Sequence, residues 1–261
     1  MVDESLVDAL RTASRVVAFS GAGMSTESGV PDFRSPGGIW TRYDPREFTF
    51  DRYVDSADVR ARSWQMRREF FDVNPQPNPA HDALVTLERD GGLAGVITQN
   101  IDGLHQQAGS QYVVELHGTA RDVQCIGWPS RPGEPAGCGW QGKTEWAFDQ
   151  VDLGVDDPTC PVCDGLVKSA TISFGQMLDR SVMEAATELV EESDLLLTVG
   201  SSLQVYPAAS LPELAVRAGS RVAIINDEPT GMDHLADVVV RARAAEVLPN
   251  AVAAATAHPY R

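Results

Sequence analysis

The sequence has too few basic residues for several classes of binding protein. Its 21 lysines and arginines are outnumbered by 37 aspartates and glutamates, which gives the 261-residue chain a formal net charge of −16. Nucleic-acid readers and proteins that adhere to anionic lipid both need a basic face. The acidity therefore argues against nucleic-acid and membrane partners, and it permits a cationic partner such as a lysine-bearing protein segment.

Secretory and membrane-spanning signals are also missing. The first residues, MVDESLVDAL, are acidic and show no basic stretch followed by an apolar one, and apolar runs such as 195–197 are far too short for a bilayer. Four cysteines are too few for a disulfide scaffold in a chain of this length. We expect a cytoplasmic protein, with the oligomeric state left open and a monomer preferred.

Short aliphatic runs that alternate with helical patterns organise the chain. Runs that are apolar throughout are typical of strands buried on both faces of a parallel sheet. The alternation predicts an α/β fold, a doubly wound Rossmann-like sheet with right-handed crossovers. Strands are predicted at 16–19, 95–98, 113–116, 195–199, 222–225 and 238–240, and helices at 78–89, 183–193 and 207–218.

Two long segments do not fit this sheet. The first is rich in arginine, aspartate and aromatic residues, with short helices expected at 60–71, and the second holds all four cysteines. We interpret both as insertions that build a smaller lobe, with a ligand in the cleft between the lobes. The predicted boundaries are 1–34, 80–120 and 169–261 for the Rossmann-like domain, 35–79 for the helical insertion and 121–168 for the zinc-binding insertion.

Small or polar residues follow five of the predicted strands. The carboxyl ends of parallel strands meet at one edge, where open α/β sheets bind ligands. Five such groups therefore favour a ligand-binding site over loops that are polar only because they are exposed to solvent. The loop GAGMST at 21–26 approaches a dinucleotide-binding turn, but Thr26 replaces the third glycine and no acidic residue ends a second strand about 20 residues on. Gly21 and Gly23 fit either phosphate contact at a helix N-terminus or an ordinary tight turn.

The four cysteines lie within one insertion. Cys160 and Cys163 form a CxxC pair that suits a tetrahedral ion, whereas twelve residues separate Cys125 from Cys138, and Trp128 stands where a second CxxC would end. The intervening segment can loop out and return Cys138 to the ion. We prefer one structural zinc to free cysteines, and four thiolates leave no open position for catalysis.

His117 lies at the end of a predicted strand, before Gly118. A lone histidine is more often structural, but the neighbouring strand ends favour a general base poised near neutral pH. Asn100 and Asp102 fit either an Asx turn that caps the next helix or recognition of an amide and a ribose. The other histidines are interpreted as structural or surface residues: His81, His105, His234 and His258.

Together these strings resemble the sirtuin family of NAD-dependent protein-lysine deacylases, of the bacterial type. The resemblance covers residues from about 16 to 244, in the family order. It implies NAD along the carboxyl edge of the sheet and one distant, structural zinc. The strings are GAGMSTESGVPDFRSPGGIW, TQNIDGLHQQAG, ELHG, the cysteine insertion, ISFGQML, TVGSSLQVYPAASLP and IINDEPT.

The resemblance also implies residue roles. His117 and Asn100 are the implied catalytic residues. Acylated-lysine proteins are the implied partners, entering as an added strand beside Phe174, Gly175, Gln176, Val205 and Tyr206. The implied cofactor-binding residues are Gly21, Ala22, Gly23, Phe33, Arg34, Gln99, Asn100, Ile101, Asp102, Gly200, Ser201, Ser202, Asn226, Asp227 and Ala244.

The implied reaction consumes NAD without redox change. The acyl-lysine carbonyl oxygen attacks the anomeric carbon and expels nicotinamide. His117 then deprotonates a ribose hydroxyl, which attacks the imidate. The products are free lysine, nicotinamide and O-acyl-ADP-ribose.

Trp64 and Arg67 resemble the Tyr-x-x-Arg pair with which one sirtuin subgroup grips acidic acyl chains such as succinyl. Residues three apart share a helix face, although Arg67 to Glu69 fits a solvated face with Trp64 as its core anchor equally well. We expect a pocket for groups larger than acetyl, with acidic acyl chains as the leading class.

The sequence departs from the family pattern in three places, and two alternative functions are considered. The first cysteine pair is spread, FGQ at 174–176 replaces the commoner FGE, and Lys168-Ser169 replaces a basic residue followed by proline. The same scaffold can support a mono-ADP-ribosyltransferase or a non-catalytic NAD-sensing module. The presence of both His117 and Asn100 argues against the last.

Overall fold

The computed structural model describes residues 3–32, 38–128 and 137–257. Their helices and strands, in chain order, are α1 (Glu4–Thr12), β1 (Val16–Ser20), α2 (Phe50–Asp55), α3 (Ala57–Asp72), α4 (Pro79–Arg89), β2 (Leu93–Thr98), α5 (Leu104–Ala108), β3 (Val113–Glu115), β4 (Gly118–Gly127), β5 (Gln141–Lys143), α6 (Thr144–Asp152), β6 (Leu166–Thr171), α7 (Arg180–Glu191), β7 (Leu195–Val199), α8 (Leu211–Ala218), β8 (Arg221–Ile225), β9 (Val238–Val240) and α9 (Ala244–Thr256).

A six-stranded parallel sheet forms the larger lobe, in the order β3-β2-β1-β7-β8-β9. All six predicted strands are present, and the prediction of a doubly wound α/β fold is confirmed. β1 and β7 are buried along their whole length, which explains their unbroken apolar sequence. The strand order reverses at β1, and such a switch point opens a crevice at the carboxyl edge of the sheet.

Helices cover both faces of this sheet. Alternate β1 residues point to opposite faces: Val16 and Ala18 pack under α1, α4 and α9, whereas Val17 and Phe19 pack under α7 and α8. No helix in the described ranges combines the length and apolar character that crossing a membrane requires.

The smaller lobe joins the two insertions around one apolar core. Its antiparallel sheet has the order β5-β4-β6, and α3 packs against α6. Trp64 and Phe148 lie in this core with Val123, Cys160 and Val167. β4 begins at Gly118 and β6 ends at Thr171, so the small sheet extends three residues beyond each predicted edge of the 121–168 insertion.

Candidate active site

A cavity of about 1510 Å³ lies between the two lobes at the carboxyl edge of the large sheet. The loops after β1, β2, β7 and β8 form one wall, and α3 and the segment after β6 form the other. Of the residues predicted to act in catalysis or to bind cofactor or substrate, those that line the cavity are Gly21, Ala22, Gly23, Gln99, Asn100, Ile101, Asp102, His117, Gly200, Ser201, Ser202, Asn226, Asp227, Phe174, Gly175, Gln176, Val205, Tyr206 and Arg67.

Three glycines bring the loops after β1 and β7 into backbone contact. A Cβ on Gly23 would lie 2.8 Å from the Gly200 Cα, and one on Gly21 would lie 2.8 Å from the Gly200 carbonyl oxygen. The Gly23 N–H donates to that same oxygen at 2.8 Å. Two short 3-10 turns, Ala22–Met24 and Thr26–Ser28, follow Gly21, so of the two alternatives the segment is a tight turn and not the start of an α-helix.

Ser25 connects the cofactor-loop candidate to the polar cluster after β2. Its hydroxyl donates to the Asp102 carboxylate at 2.7 Å and accepts from the Asn100 amide at 3.0 Å. The Asn100 amide also donates to the Gly21 carbonyl at 3.0 Å. Asp102 additionally accepts from the Leu104 N–H at 2.9 Å, which is the hydrogen bond of an Asx turn before α5, and both Asn100 and Asp102 line the cavity.

The neighbouring strand ends are connected in the same way. Gln99 donates from its amide to the Ser201 hydroxyl at 2.8 Å, which joins the loops after β2 and β7. The structure does not support the prediction that Ala244 binds cofactor. Ala244 starts α9 in the apolar core and does not line the cavity. Phe33 and Arg34, also predicted to bind cofactor, lie outside the described residues.

His117 is held in one tautomer at the cavity wall. Its Nδ1 lies 2.9 Å from the Gln99 carbonyl oxygen, and a carbonyl can only accept, so Nδ1 carries the proton and Nε2 is left bare. Burial lowers the pKa of His117, and the contact with Gln99 opposes this shift. A half-buried neutral imidazole with a free Nε2 is equipped to accept a proton.

Gly118 permits the sharp turn that places His117 between the two sheets. It has φ of +70°, and a Cβ there would lie 2.0 Å from the Ala170 carbonyl oxygen. The His117 carbonyl accepts from the Ile172 N–H at 2.8 Å. His117 is thereby fixed by the loop after β2 on one side and by the segment after β6 on the other.

The four cysteines form one compact cluster in the smaller lobe. The Sγ atoms of Cys125 and Cys163 are 3.5 Å apart, those of Cys138 and Cys160 are 3.6 Å apart, and all four lie within 4.8 Å of one another. Zn–S bonds of about 2.3 Å in a tetrahedron separate the sulfurs by roughly 3.8 Å. The set therefore fits one structural zinc ion, and all four cysteines, each of them described, lie away from the cavity lining.

Two cations lie together at the small-lobe wall of the cavity. Arg67 donates from Nη2 to the Thr171 hydroxyl at 3.1 Å, and Lys168 donates from Nζ to the carbonyl oxygens of Ser169 and Thr171. Within the described ranges, neither cation forms an ion pair. Burial, with a smaller effect of Arg67, lowers the pKa of Lys168 to about 7, and burial also lowers the pKa of Arg67.

The structure also does not support the prediction that Trp64 contacts the acyl chain. Trp64 is 1% exposed and packs in the small-lobe core against Val123, Phe148 and Val167, away from the cavity lining. α3 therefore turns Arg67 toward the cavity and Trp64 toward the core. The interpretation of Trp64 as a core anchor is the one that the packing supports.

The cavity mouth carries exposed apolar side chains. Phe174, Tyr206 and Met177 are 50%, 62% and 91% exposed. Phe174 also contacts the helical insertion, because its carbonyl oxygen accepts from the Phe50 N–H at 2.9 Å. This edge offers both apolar surface and backbone to an extended chain.

Three residues of the site were not predicted. Ser25 gave no signal beyond a hydroxyl in a loop after a strand, and Thr171, directly before the string ISFGQML, gave none. Lys168 was noted only as a departure from a family pattern. The contacts of Ser25 with Asp102 and of Thr171 with Arg67 join elements distant in sequence, so spacing along the chain could not have found them. Lys168 instead donates to carbonyls one and three residues further along the chain.

Known proteins resemble this chain over nearly its whole length. The model of the Sir2 family matches residues 21–207. NAD-dependent protein deacetylase 1 of Bradyrhizobium diazoefficiens is 46% identical over 253 residues, which cover 94% of this chain and 93% of that protein. NAD-dependent protein deacylase 2 of Pyrobaculum aerophilum is 41% identical over 248 residues, which cover 95% and 94%.

Solved structures show the same architecture. A complex described as Sir2-p53 peptide-NAD+ has a TM-score of 0.84 and 32% identity, and the match covers 96% of this chain and 97% of that one. A structure from work on the mechanism and regulation of Sir2 enzymes has a TM-score of 0.85 and 36% identity, with 97% of both chains covered.

Proposed function

This chain belongs to the Sir2 family and is an NAD-dependent protein-lysine deacylase with one structural zinc, and we propose that His117 is its general base. The observation that carries the assignment is the hydrogen bond from Nδ1 to the Gln99 carbonyl, 2.9 Å long. It leaves Nε2 bare on a residue that lines the cavity. One nicotinamide released for each lysine freed, measured by chromatography, tests the activity; NAD hydrolysis that is indifferent to acyl peptide would contradict it.

We propose that NAD lies along the carboxyl edge of the sheet. The contacting glycines after β1 and β7 leave bare backbone for the phosphates, beside Ser201. Asn100 and Asp102 would face the nicotinamide end, where the Asp102 carboxylate keeps acceptor capacity beyond its two present bonds. Bound there, NAD supplies the ribose carbon from which nicotinamide leaves and the hydroxyl that takes the acyl group.

The chain's own contribution to chemistry is then a proton transfer in a shielded cavity. His117 Nε2 would accept the proton of a ribose hydroxyl as the hydroxyl oxygen bonds to the acyl carbon. The imidazolium would return that proton to the lysine nitrogen, which leaves as the free amine, and water would add to the acyl carbon to give O-acyl-ADP-ribose. Gln99 serves twice, because its carbonyl fixes the tautomer of His117 while its side chain holds Ser201. Asn100 orients the nicotinamide side through its bonds to Gly21 and Ser25.

The contact between the loops makes a test of the NAD placement. Gly200 has φ of +62°, and a Cβ there would lie 2.3 Å from the Met24 nitrogen. We expect Gly200→Ala to weaken NAD binding at least tenfold, since the loops must separate. Calorimetric titration with NAD measures this.

The matched control is Gly219→Ala. Gly219 has φ of +89°, but a Cβ added there would meet no atom within 4 Å, so only backbone strain of about 1–2 kcal/mol is expected. Equal NAD affinity in Gly200→Ala and the control would overturn the proposal that the phosphates lie against the glycine backbone after β1 and β7.

We propose that the acylated peptide enters as an added strand at the mouth formed by Phe174, Gly175 and Val205. The exposed apolar surface of Phe174 and Tyr206 supports this position. Strand addition uses backbone bonds and makes few demands on peptide sequence. The chain's net charge of −16 favours lysine-rich targets.

We propose further that the enzyme acts on acyl chains that end in a carboxylate. Arg67 and Lys168 line the cavity close to one another, and no aspartate or glutamate in the described ranges neutralises either. A buried lysine beside a half-buried arginine is costly without a counter-ion. A bound carboxylate would offset that cost, and a guanidinium can pair with it in bidentate fashion, a contact that acetyl cannot offer.

Arg67→Met is expected to lower kcat/KM for succinyl-lysine peptide about 10–100-fold, because a charge-assisted hydrogen bond contributes about 1.5–3 kcal/mol and each 1.4 kcal/mol is tenfold. The value for acetyl-lysine peptide should change little. Steady-state rates on acetyl-, succinyl- and long-chain peptides measure this. Arg67→Lys is the control that keeps the positive charge but loses the paired N–H donors of the guanidinium. Acetyl preferred outright, with Arg67→Met indifferent for succinyl, would show plain deacetylation.

We also propose a cytoplasmic, monomeric enzyme. The four cysteines lie together without a disulfide, which fits a reducing compartment. Sedimentation should give one species near 28.1 kDa; a larger species would contradict the monomer.

A further inference from the structure

A buried arginine joins three segments of the smaller lobe. Arg60, near the start of α3, is 8% exposed. Its Nε and Nη2 donate to the Asp157 carboxylate at distances between 2.8 and 3.0 Å. Its Nη1 donates to the carbonyl oxygens of Tyr53 and Val54 at 2.9 and 2.8 Å. Arg60 therefore ties the start of α3 to the end of α2 and to the loop after α6.

The carboxylate of Asp157 is what makes the burial of Arg60 affordable. The two side chains are 10% and 25% exposed, so water screens their attraction little. Two donors of the guanidinium meet the carboxylate, which is the geometry that arginine favours. Without Asp157 the charge of Arg60 would be buried with carbonyl oxygens only, a costly state. We expect α2 and α3 to shift in that case, because Arg60 can then reach water.

The end of α2 that Arg60 holds contributes to the cavity. Tyr53 is 5% exposed, lines the cavity, and donates from its hydroxyl to the Val167 carbonyl oxygen on β6 at 2.7 Å. Burial raises the pKa of Tyr53, with Arg67 opposing the shift and Asp157 adding to it. These charges act on the hydroxyl because Tyr53 lies between the ion pair and the cation at the cavity wall.

Arg67 lies on the same side of α3 as Arg60. The two residues are seven positions apart, which is close to two full turns of an α-helix. A rotation or shift of α3 at Arg60 therefore carries Arg67 with it. The hydrogen bond from Arg67 to the Thr171 hydroxyl, 3.1 Å long, is a contact that such a shift would break.

We propose that Asp157 is a positioning residue for acyl selectivity. Through Arg60 it holds α2 and α3 where Tyr53 and Arg67 form the small-lobe wall of the cavity. Neither Asp157 nor Arg60, both of them described, lines the cavity itself, so the pair acts through that wall and does not touch the substrate. The inference rests on the proposed role of Arg67 in binding an acyl carboxylate.

Two variants separate positioning from stability. Asp157→Ala leaves the charge of Arg60 unpaired, and we expect it to lower both Tm and kcat/KM for succinyl-lysine peptide. The double variant Arg60→Met/Asp157→Leu has no unpaired charge, and apolar replacement of a buried ion pair is often neutral or stabilising. Its Tm should be close to wild type. Its kcat/KM for succinyl-lysine peptide should still be about tenfold low, because small misplacements are costly, with little change for acetyl-lysine peptide.

Steady-state rates and thermal unfolding measure these effects, with Arg67→Met in the same assay. Asp156→Ala is the matched control, since Asp156 is exposed in the same loop and its loss should change neither quantity. A double variant with wild-type succinyl selectivity, or one that loses both activities by the same factor, would show that the ion pair is only structural and leave the role of Arg67 intact. Wild-type succinyl rates in Arg67→Met would contradict the proposed acyl class, and this inference with it.

Discussion

Replacing His117 with alanine is expected to lower kcat for lysine deacylation by about 10²–10⁴-fold, the usual contribution of a positioned general base. The reason is the arrangement around the ring. The Gln99 carbonyl holds the proton on Nδ1 and the cavity receives Nε2. No other histidine lines the cavity in the described ranges, so none can take over the proton.

The binding of NAD should stay within a few-fold in this variant, because the phosphate and nicotinamide contacts proposed above lie on other residues. Turnover by chromatography and NAD affinity by calorimetry measure the two effects separately. The matched control is the exposed His234→Ala, which should behave as wild type. Near wild-type turnover in His117→Ala would show that another group is the base.

Replacing Cys160 with serine is expected to remove the zinc and destabilise the smaller lobe. Cys160 is 0% exposed and sits in the core of that lobe with Trp64 and Val123. Binding of a structural zinc contributes directly to the folding free energy. At about 2–4 °C per kcal/mol for a domain of this size, losing a few kcal/mol lowers Tm by about 10 °C.

Metal analysis and thermal unfolding measure this pair of effects. Val162 lies between two of the ligands but is 68% exposed, so Val162→Ser is the control that should keep one zinc per chain and the wild-type Tm. A Cys160→Ser protein that keeps its stability and its activity without metal would contradict a structural zinc. Metal retained after changing Cys125 and Cys138 would show that the spread pair does not ligate.

The large sheet was predictable because its strands are buried on both faces. Burial on both faces demands unbroken apolar runs, so β1 and β7 stand out from their surroundings in the sequence. The small sheet was missed for the opposite reason. β4 is buried mainly at one end and carries Arg121, Asp122 and Gln124 along its length, so no clear pattern marks it as a strand.

The site was predictable to the extent that it lies at strand ends. Glycines and amides after β1, β2 and β7 meet because parallel strands end at one edge. Helix faces were harder to assign: α3 turns Arg67 to the cavity and Trp64 to the core, and spacing alone permits both on one face. The approach of Lys168 to Arg67 and the ring pair of His81 and His105 depend on packing between distant segments.

The measurement that tests the account most directly is the mass of every product after incubation with NAD and a mixed panel of acyl-lysine peptides. The account predicts that each consumed peptide loses its acyl group and that the acyl mass appears on ADP-ribose, with one nicotinamide per event. Peptide that gains the mass of ADP-ribose, with its acyl group retained, would contradict it and indicate a mono-ADP-ribosyltransferase.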